Sequence, residues 1–487
     1  MSGNRSMHGA ATARGIAALG AYIPRRRLLR SAIAAAHRWA NPNLSASGMR
    51  AICSHDEDSL TMAVAAARHA LAERQRAPQR LLFASTSMPF ADRNNATLIA
   101  EALALPAELR MLDAGGSLRA GTSALLAALD GDDSALVIAA DKRRAKPGSA
   151  QELAFGDAAV ALVVDSERIA ARFLGAHSLA IDFTDHYRGA DAEFDYALEE
   201  RWVREEGFLK LLPRAIGAAL EKTDIAPQRI DHLILGCGTR NARTIAAQCG
   251  IAADAVADDL FDRCGDSGCA HPLLLLADVL QRAEPGALIL VASFGQGCDA
   301  LLFEASADIA ALRPQHGVGA ALAAGVEDDN YLRYLSFNGL VSMDWGMRAE
   351  RDNRTAHAAF YRHRKTATGF IGSRCSICET AQFPKSRVCV NPDCRRTDTQ
   401  IDEPFSARSA TVKSFTEDWL ALSYNPPLMY GNVRFDGGGV AMLEFTDFAT
   451  GELRVGTPLS LQFRLKDVDD RRGFRRYCWK AAPAAVR

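Results

Sequence analysis

No run of apolar residues in this chain approaches the roughly eighteen that a membrane-crossing helix needs. The opening stretch, Met1 to Thr12, is small and polar and lacks the apolar centre of an export signal; it reads as a loose tail. Charge excess is missing too. The 57 Lys and Arg stand against 58 Asp and Glu, a formal net charge of −1, so neither nucleic acid nor an anionic membrane is expected as the main partner. Seven of the 11 cysteines are scattered singly in apolar or helical surroundings. Without an export signal these read as reduced thiols, and the expected compartment is the cytoplasm.

What is present is globular material, 48% hydrophobic and 24% charged. A chain of 487 residues exceeds one ordinary core, and about two to four domains are expected. Up to residue 308 apolar strands alternate with amphipathic helices, the α/β pattern. The pattern occurs twice. A helix over Leu60–Glu73, the tetrapeptide Ala77-Pro78-Gln79-Arg80 and a strand at Leu81–Ala84 are echoed by Phe208–Leu220, Ala226-Pro227-Gln228-Arg229 and Leu233–Leu235. Pro213 must kink the second helix or sit near its start. Gly115–Gly121 opens a helix leading to the strand Ala135–Ile138; Gly265–Ala270 opens another leading to Ala287–Leu290. Gly116 and Gly268 are 152 residues apart, as are Ala135 and Ala287. Residues 13–170 and 171–308 are therefore expected to be two copies of one α/β unit.

Residues 309–365 read as a linker, Ala- and Gly-rich with little β character at first, and then docking helices rich in charge and aromatics. Residues 366–400 hold Cys375-x2-Cys378, ten residues, and Cys389-x4-Cys394. Two close thiolate pairs in turns allow four sulfurs to converge on one zinc ion, and four sulfurs leave no open position, so the metal is expected to be structural. The stretch is too short and polar for its own core, so the metal supplies its cohesion, on the order of 10–16 kcal/mol in zinc-finger peptides. Residues 401–487 carry strand-like segments at Ala410–Ser414, Leu428–Phe435, Val440–Phe445 and Pro458–Arg464, with turns such as Asp436-Gly437-Gly438-Gly439 between them. A small β-barrel is expected there.

The duplicated α/β pattern, with Phe155-Gly156-Asp157-Ala158-Ala159, resembles the thiolase superfamily. The opening Gly15–Pro24 and the turn Phe294-Gly295-Gln296-Gly297 are similar to those of 3-hydroxy-3-methylglutaryl-CoA synthases and the ketoacyl-carrier-protein synthases that start fatty-acid chains. This likeness covers about 300 residues and implies a five-layered fold. Residues 330–487 resemble a second family, the zinc-ribbon and OB-fold proteins that accompany thiolases. The matching stretches are Arg374–Cys378, Gln382-Phe383-Pro384, Pro426-Pro427, Tyr430-Gly431, Arg472-Gly473-Phe474 and Tyr477–Ala481. That resemblance implies a barrel that helps bind the CoA part of an acyl-CoA and bridges a synthase to a thiolase.

Condensing enzymes of this kind need a cysteine at a helix N-terminus, where the helix dipole and amides activate it, and a histidine with asparagine or glutamate to move protons. The resemblance puts the cysteine at Leu118, the glutamate at Thr86, the histidine at Gly236 and the asparagine at Asp266. All four positions are changed. Candidate substitutes are Cys237, Cys269 with His271 as a Cys-x-His pair, and Ser117, next to the missing nucleophile. Packing roles are the alternative for each, and Cys264, Cys269 and His271 would be a second metal set. Arg119 is a candidate for a carboxylate or the CoA phosphates, or else a structural ion pair. Arg25-Arg26-Arg27 is a phosphate candidate or a solvated loop.

The expectation is an acyl-CoA-handling subunit with a degenerate synthase domain, acting with a separate thiolase in CoA-thioester C–C bond formation or cleavage. The alternatives are an active synthase-like acyltransferase or C–C lyase using other residues, and a scaffold that never touches CoA. A homodimeric core follows from the resemblance alone.

Overall fold

The computed structural model describes residues 13–484 apart from 73, 75, 313–316, 351–355 and 470; the expected tail at 1–12 lies outside the described residues. The first α/β copy contributes five strands to a nine-stranded sheet. From the sheet edge inward they run Arg110–Ala114, Arg80–Ala84, Ala135–Asp141, Ala158–Asp165 and Gly15–Tyr22. The second copy repeats the order with His232–Leu235, Leu288–Phe294, Gly297–Ala305 and Ala171–Ala180. Its edge position is held by a single parallel bridge, Leu233 to Val256. Gly15 and Ile16 pair with Arg172 and Ala171 and join the halves.

Two helices, Ala120–Leu129 and His271–Leu280, pack on each other between the halves. They are apolar on nearly every side, as a helix buried all round must be. Ser59–Leu71 and Asn95–Ala102 cover the first half, and Leu209–Thr223 and Thr239–Cys249 cover the second, giving five layers. The spaced glycines have a backbone reason. Gly116 and Gly268 both adopt positive φ (79° and 61°) ahead of the two central helices, a conformation that a side chain would strain. Pro213 lies in the second turn of its helix, preceded by a π-helical segment, Val203–Phe208.

The segment after residue 308 is tied to the α/β unit. The strand Val326–Asp328, too short for its pattern to be legible, pairs in parallel with Arg26–Leu29, which also pairs with Met49–Ile52. Each of the three successive arginines has a partner within the protein. Arg25 donates to the Asp447 carbonyl (2.8 Å), Arg26 pairs with Asp328 (3.0 Å), and Arg27 donates to the Ala321 carbonyl (2.9 Å). Beyond them, Ile371–Cys375 is flanked by Ala381–Gln382 and Gln400–Pro404. The last strand runs across the expected boundary at 400/401 because it pairs with Ile371–Cys375 throughout.

The C-terminal strands Ala410–Asp418, Leu428–Phe435, Val440–Glu444, Pro458–Asp469 and Phe474–Pro483 form an antiparallel sheet. A parallel bridge from Phe445 to Ala481 closes it around Val412, Val433, Phe435, Leu461, Phe463 and Trp479. The barrel sits on the start of helix Ser59–Leu71. Asp58 caps that helix through a capping box with Thr61 and also accepts from the Tyr477 hydroxyl (2.7 Å). Asp56 faces Lys480 (3.1 Å), while Arg464, with no exposed side-chain surface, faces Asp447 (2.9 Å) and Glu57 (3.3 Å). The acidic run Asp56-Glu57-Asp58 thus meets a basic face of the barrel in a buried ionic seam.

Candidate functional site

The central helix Ala120–Leu129 begins just after Leu118, the position at which the resemblance leads one to expect a cysteine. Leu118 stands one residue before its N-cap, Arg119, half-buried. The glycine turn packs directly on this point: a side-chain carbon at Gly295 would lie 3.1 Å from the Leu118 amide nitrogen. Ser117 is spent on the same contact, donating its hydroxyl to the Gly295 carbonyl (2.9 Å), and among the described residues no base partners it. Arg119 turns inward to Asp299 (3.1 Å) and the Leu179 carbonyl (3.2 Å), so its guanidinium serves an internal ion pair.

The Thr86 loop follows strand Arg80–Ala84. Asp141, fully buried at the end of the next strand, gathers it by accepting from the Ser85 hydroxyl (3.0 Å), the Thr86 amide (2.7 Å) and hydroxyl (2.9 Å), and the Ser87 hydroxyl (2.9 Å). The same carboxylate accepts the Cys269 amide (2.9 Å), which ties the start of the second central helix to the Thr86 loop. Cys269 is fully buried, and burial, with Asp141 beside it, pushes its thiol well above the ordinary value. Cys237 is also buried, and desolvation raises it to about 12. Both stay protonated near neutral pH, the opposite of an activated thiolate.

Gly236 ends strand His232–Leu235. A side-chain carbon there would come within 3.2 Å of the His271 ring, so His271 fills the space beside Gly236. Burial lowers the His271 pKa, with Asp266 and Asp259 opposing it. Asp266 accepts from Arg143 (3.0 Å). Burial works against its charge, and Arg143 and His271 outweigh that cost, leaving its carboxyl below the usual range. An open cleft of about 700 Å³ is lined by Arg204, Gly238, Arg240, Asn241 and Asp259. Arg143 was not legible as a site residue: it comes from the loop after Asp141, and the nearby His186 and Asp195 come from a short hairpin without periodic pattern.

The four cysteines converge. Cys375 and Cys394 sulfurs lie 3.9 Å apart, Cys378 and Cys389 sulfurs 3.5 Å, and all four fall within 4.8 Å of one another. Zn–S bonds of about 2.3 Å in a tetrahedron require sulfurs about 3.8 Å apart, so the set fits a zinc ion. Among the described residues this is the one cluster of three or more Cys, His, Asp or Glu within metal-binding reach, and Cys264, Cys269 and His271 do not form another.

Related proteins bear on the synthase-like part of this picture. No family model matches the chain. A hydroxymethylglutaryl-CoA synthase of Aeropyrum pernix is 30% identical over 296 residues, covering 58% of this chain and 82% of that protein. The chain belongs to the hydroxymethylglutaryl-CoA synthase family. The Methanopyrus kandleri synthase is 29% identical over 337 residues, 66% of this chain and 95% of its own length. Among solved structures, MvaS in complex with 3-hydroxy-3-methylglutaryl coenzyme A superposes with a TM-score of 0.58 at 19% identity, over 67% of this chain and 92% of that one. A 3-oxoacyl-(acyl carrier protein) synthase III from Pseudomonas aeruginosa PAO1 gives 0.53 at 20% identity, over 60% and 98%. These neighbours share the five-layered fold. About a third of this family member lies beyond the match to the Methanopyrus synthase. No helix among its described residues is long and apolar enough to cross a membrane.

Proposed function

We propose that this member of the hydroxymethylglutaryl-CoA synthase family is an acyl-CoA-handling subunit whose synthase domain forms no covalent acyl intermediate. It acts beside a separate thiolase on CoA thioesters in the cytoplasm. One observation carries the reading: a leucine occupies the position before the central helix where the nucleophile belongs, and the nearby thiols, Cys237 and Cys269, are buried and protonated. The family supplies the substrate class, since its members are named for a CoA thioester. The closed C-terminal sheet is read as an OB-type barrel that contributes to CoA binding, and the four-cysteine knuckle as a structural zinc site. The outer edge of strand Arg110–Ala114, without a partner strand among the described residues and with Leu112 half exposed, supports a homodimeric core.

The test is made on the purified full chain. Calorimetry with acetyl-CoA is expected to give saturable binding. Condensation and thiolysis assays without a thiolase are expected to stay at background. Robust turnover by the chain alone would overturn the subunit reading, and absence of any binding would favour a scaffold that does not touch CoA.

A further inference from the structure

The loop 419–427 joins strands Ala410–Asp418 and Leu428–Phe435 of the barrel. Asp418 shapes its start. One carboxylate oxygen accepts the Leu420 amide (2.8 Å) and the Ala421 amide (2.9 Å), a turn that leaves Trp419 and Leu420 on the surface. The segment 343–349 lies against this loop. The Arg348 guanidinium donates to the Leu420 carbonyl, and the Trp345 ring stands perpendicular to that of Tyr424 with centres 5.5 Å apart. Tyr424 in turn approaches His55 of the α/β unit, at 6.4 Å between ring centres. Gly346, at a φ of 71°, donates its amide to the Asp344 carboxylate (2.8 Å) and so sets the turn that presents Met347.

These two interlocked loops carry five large apolar side chains that face water: Met347 (84% exposed), Leu420 (68%), Trp419 (64%), Tyr424 (49%) and Met343 (39%). At about 200 Å² for a whole large side chain, they expose about 600 Å² together. That is the top of the range for the largest apolar patch on a monomer, about 300–600 Å². A standard interface takes about 800 Å² from each partner. In a homodimer about two thirds of the contact, or about 500 Å², is apolar. The patch therefore supplies the apolar centre of one such interface, and Trp, Tyr and Met are the residue types that interfaces favour. Asp418, Arg348 and the Trp345–Tyr424 contact hold it in shape, so little ordering remains to be done on association.

The rim favours a copy of the same surface. In a two-fold contact one patch lies on both sides, and each residue pair across it occurs twice. A rim of one sign would then repel itself. Here exposed Asp344 and Glu350 flank exposed Arg348, so a two-fold axis through the apolar centre can set each Arg348 against a carboxylate of the other copy. A strongly acidic or basic partner would find no excess charge to match. We propose that this patch is a two-fold interface with a second copy of the chain. It is separate from the sheet edge at Arg110–Ala114. Together with the homodimeric core proposed above, it makes the particle a tetramer, two sheet-edge dimers joined through their barrels.

Sedimentation equilibrium of the full chain tests this with the double variant Trp419→Glu, Met347→Glu. Both side chains lie outside the contacts that shape the loops, so the circular dichroism spectrum is expected to stay unchanged while the mass of the particle halves. Leu420→Glu, on the same loop, repeats the test independently. Adding Leu112→Glu to the double variant is expected to halve the mass again. Variants that keep the wild-type mass overturn the inference, including the case in which a different protein or a membrane covers the patch. If the double variant halves the mass and Leu112→Glu does not, the sheet-edge reading falls and this one stands. A monomeric wild type overturns both.

Discussion

Replacing Asp56 tests whether charge holds the barrel to the synthase-like unit. Its carboxylate faces Lys480 at 3.1 Å and accepts from Thr446 at 3.1 Å, and its carbonyl accepts the Leu465 amide. Asp56→Ala leaves Lys480, 7% exposed, with Glu444 alone at 3.0 Å, and leaves Arg464 with Glu57 and Asp447. Breaking one partner of a buried ion pair costs about 3–5 kcal/mol. Because both cations keep a second carboxylate, the low end applies, about 3 kcal/mol, with about 1 kcal/mol more for the lost Thr446 hydrogen bond. Asp56→Asn keeps the shape and removes only the charge, so about 2–3 kcal/mol is expected for it.

The assay is urea unfolding of the full chain followed by tryptophan fluorescence, which includes Trp479 beside the seam. The pH profile gives a second readout. Burial opposes the Asp56 charge, but Lys480, His55 and Arg464 outweigh it, and its folded pKa falls below 3.8. Its contribution is therefore present above pH 3.8 and lost as pH falls through the lower folded value. Burial also opposes the Lys480 charge, and Asp56 and Glu444 raise its pKa above 10.5, so its contribution is complete below 10.5 and lost as pH rises through the higher folded value. Glu57 is raised, mainly by burial, so its protonation in acid favours the folded state. Wild-type stability should fall below pH 6.5, where His55, His232 and His271, lowered chiefly by burial, resist protonation, and Asp56→Ala should lose less of it on further acidification. Wild-type stability in both variants would refute the claim that the ionic seam holds the barrel.

Cys378→Ser should reduce bound zinc from about one per chain to near zero by metal analysis, with protease sensitivity appearing at residues 371–404. Arg119→Ala should lower stability by about 1.5–3 kcal/mol, since the buried Asp299 loses a charged donor but keeps Thr122, Ser123 and Ser178; acetyl-CoA affinity measured by calorimetry should not change. Leu112→Glu, placing charge on the open sheet edge, should halve the sedimenting mass without altering the circular dichroism spectrum.

The α/β fold was legible because duplication leaves a positional signal. Gly116 and Gly268 sit at matching distances from matching strands, and both need positive φ. The metal knuckle was legible because ligand spacing is local. Leu118 was singled out through the family resemblance, and the structure places it one residue before the N-cap of Ala120–Leu129. The ionic seam was hidden: Asp56-Glu57-Asp58 looks like a solvated acidic cap until the barrel, some 400 residues later, covers it. The strand Phe474–Pro483 was masked by its charges, since Arg475, Arg476 and Lys480 pair with carboxylates instead of facing water. Asp195, which meets Arg143, sits in a hairpin of two-residue strands, too short for any periodicity.

The parallel pairing of Val326–Asp328 with Arg26–Leu29 bears on how the protein can be taken apart. A cut at residue 308, where the duplicated pattern ends, would strip a ladder partner from the N-terminal segment and unseat the anchors of Arg25, Arg26 and Arg27 at once. The folding unit therefore extends past the repeat: a fragment carried through Asp328 keeps the ladder partner and the anchors of Arg26 and Arg27, while the anchor of Arg25 at Asp447 stays with the barrel.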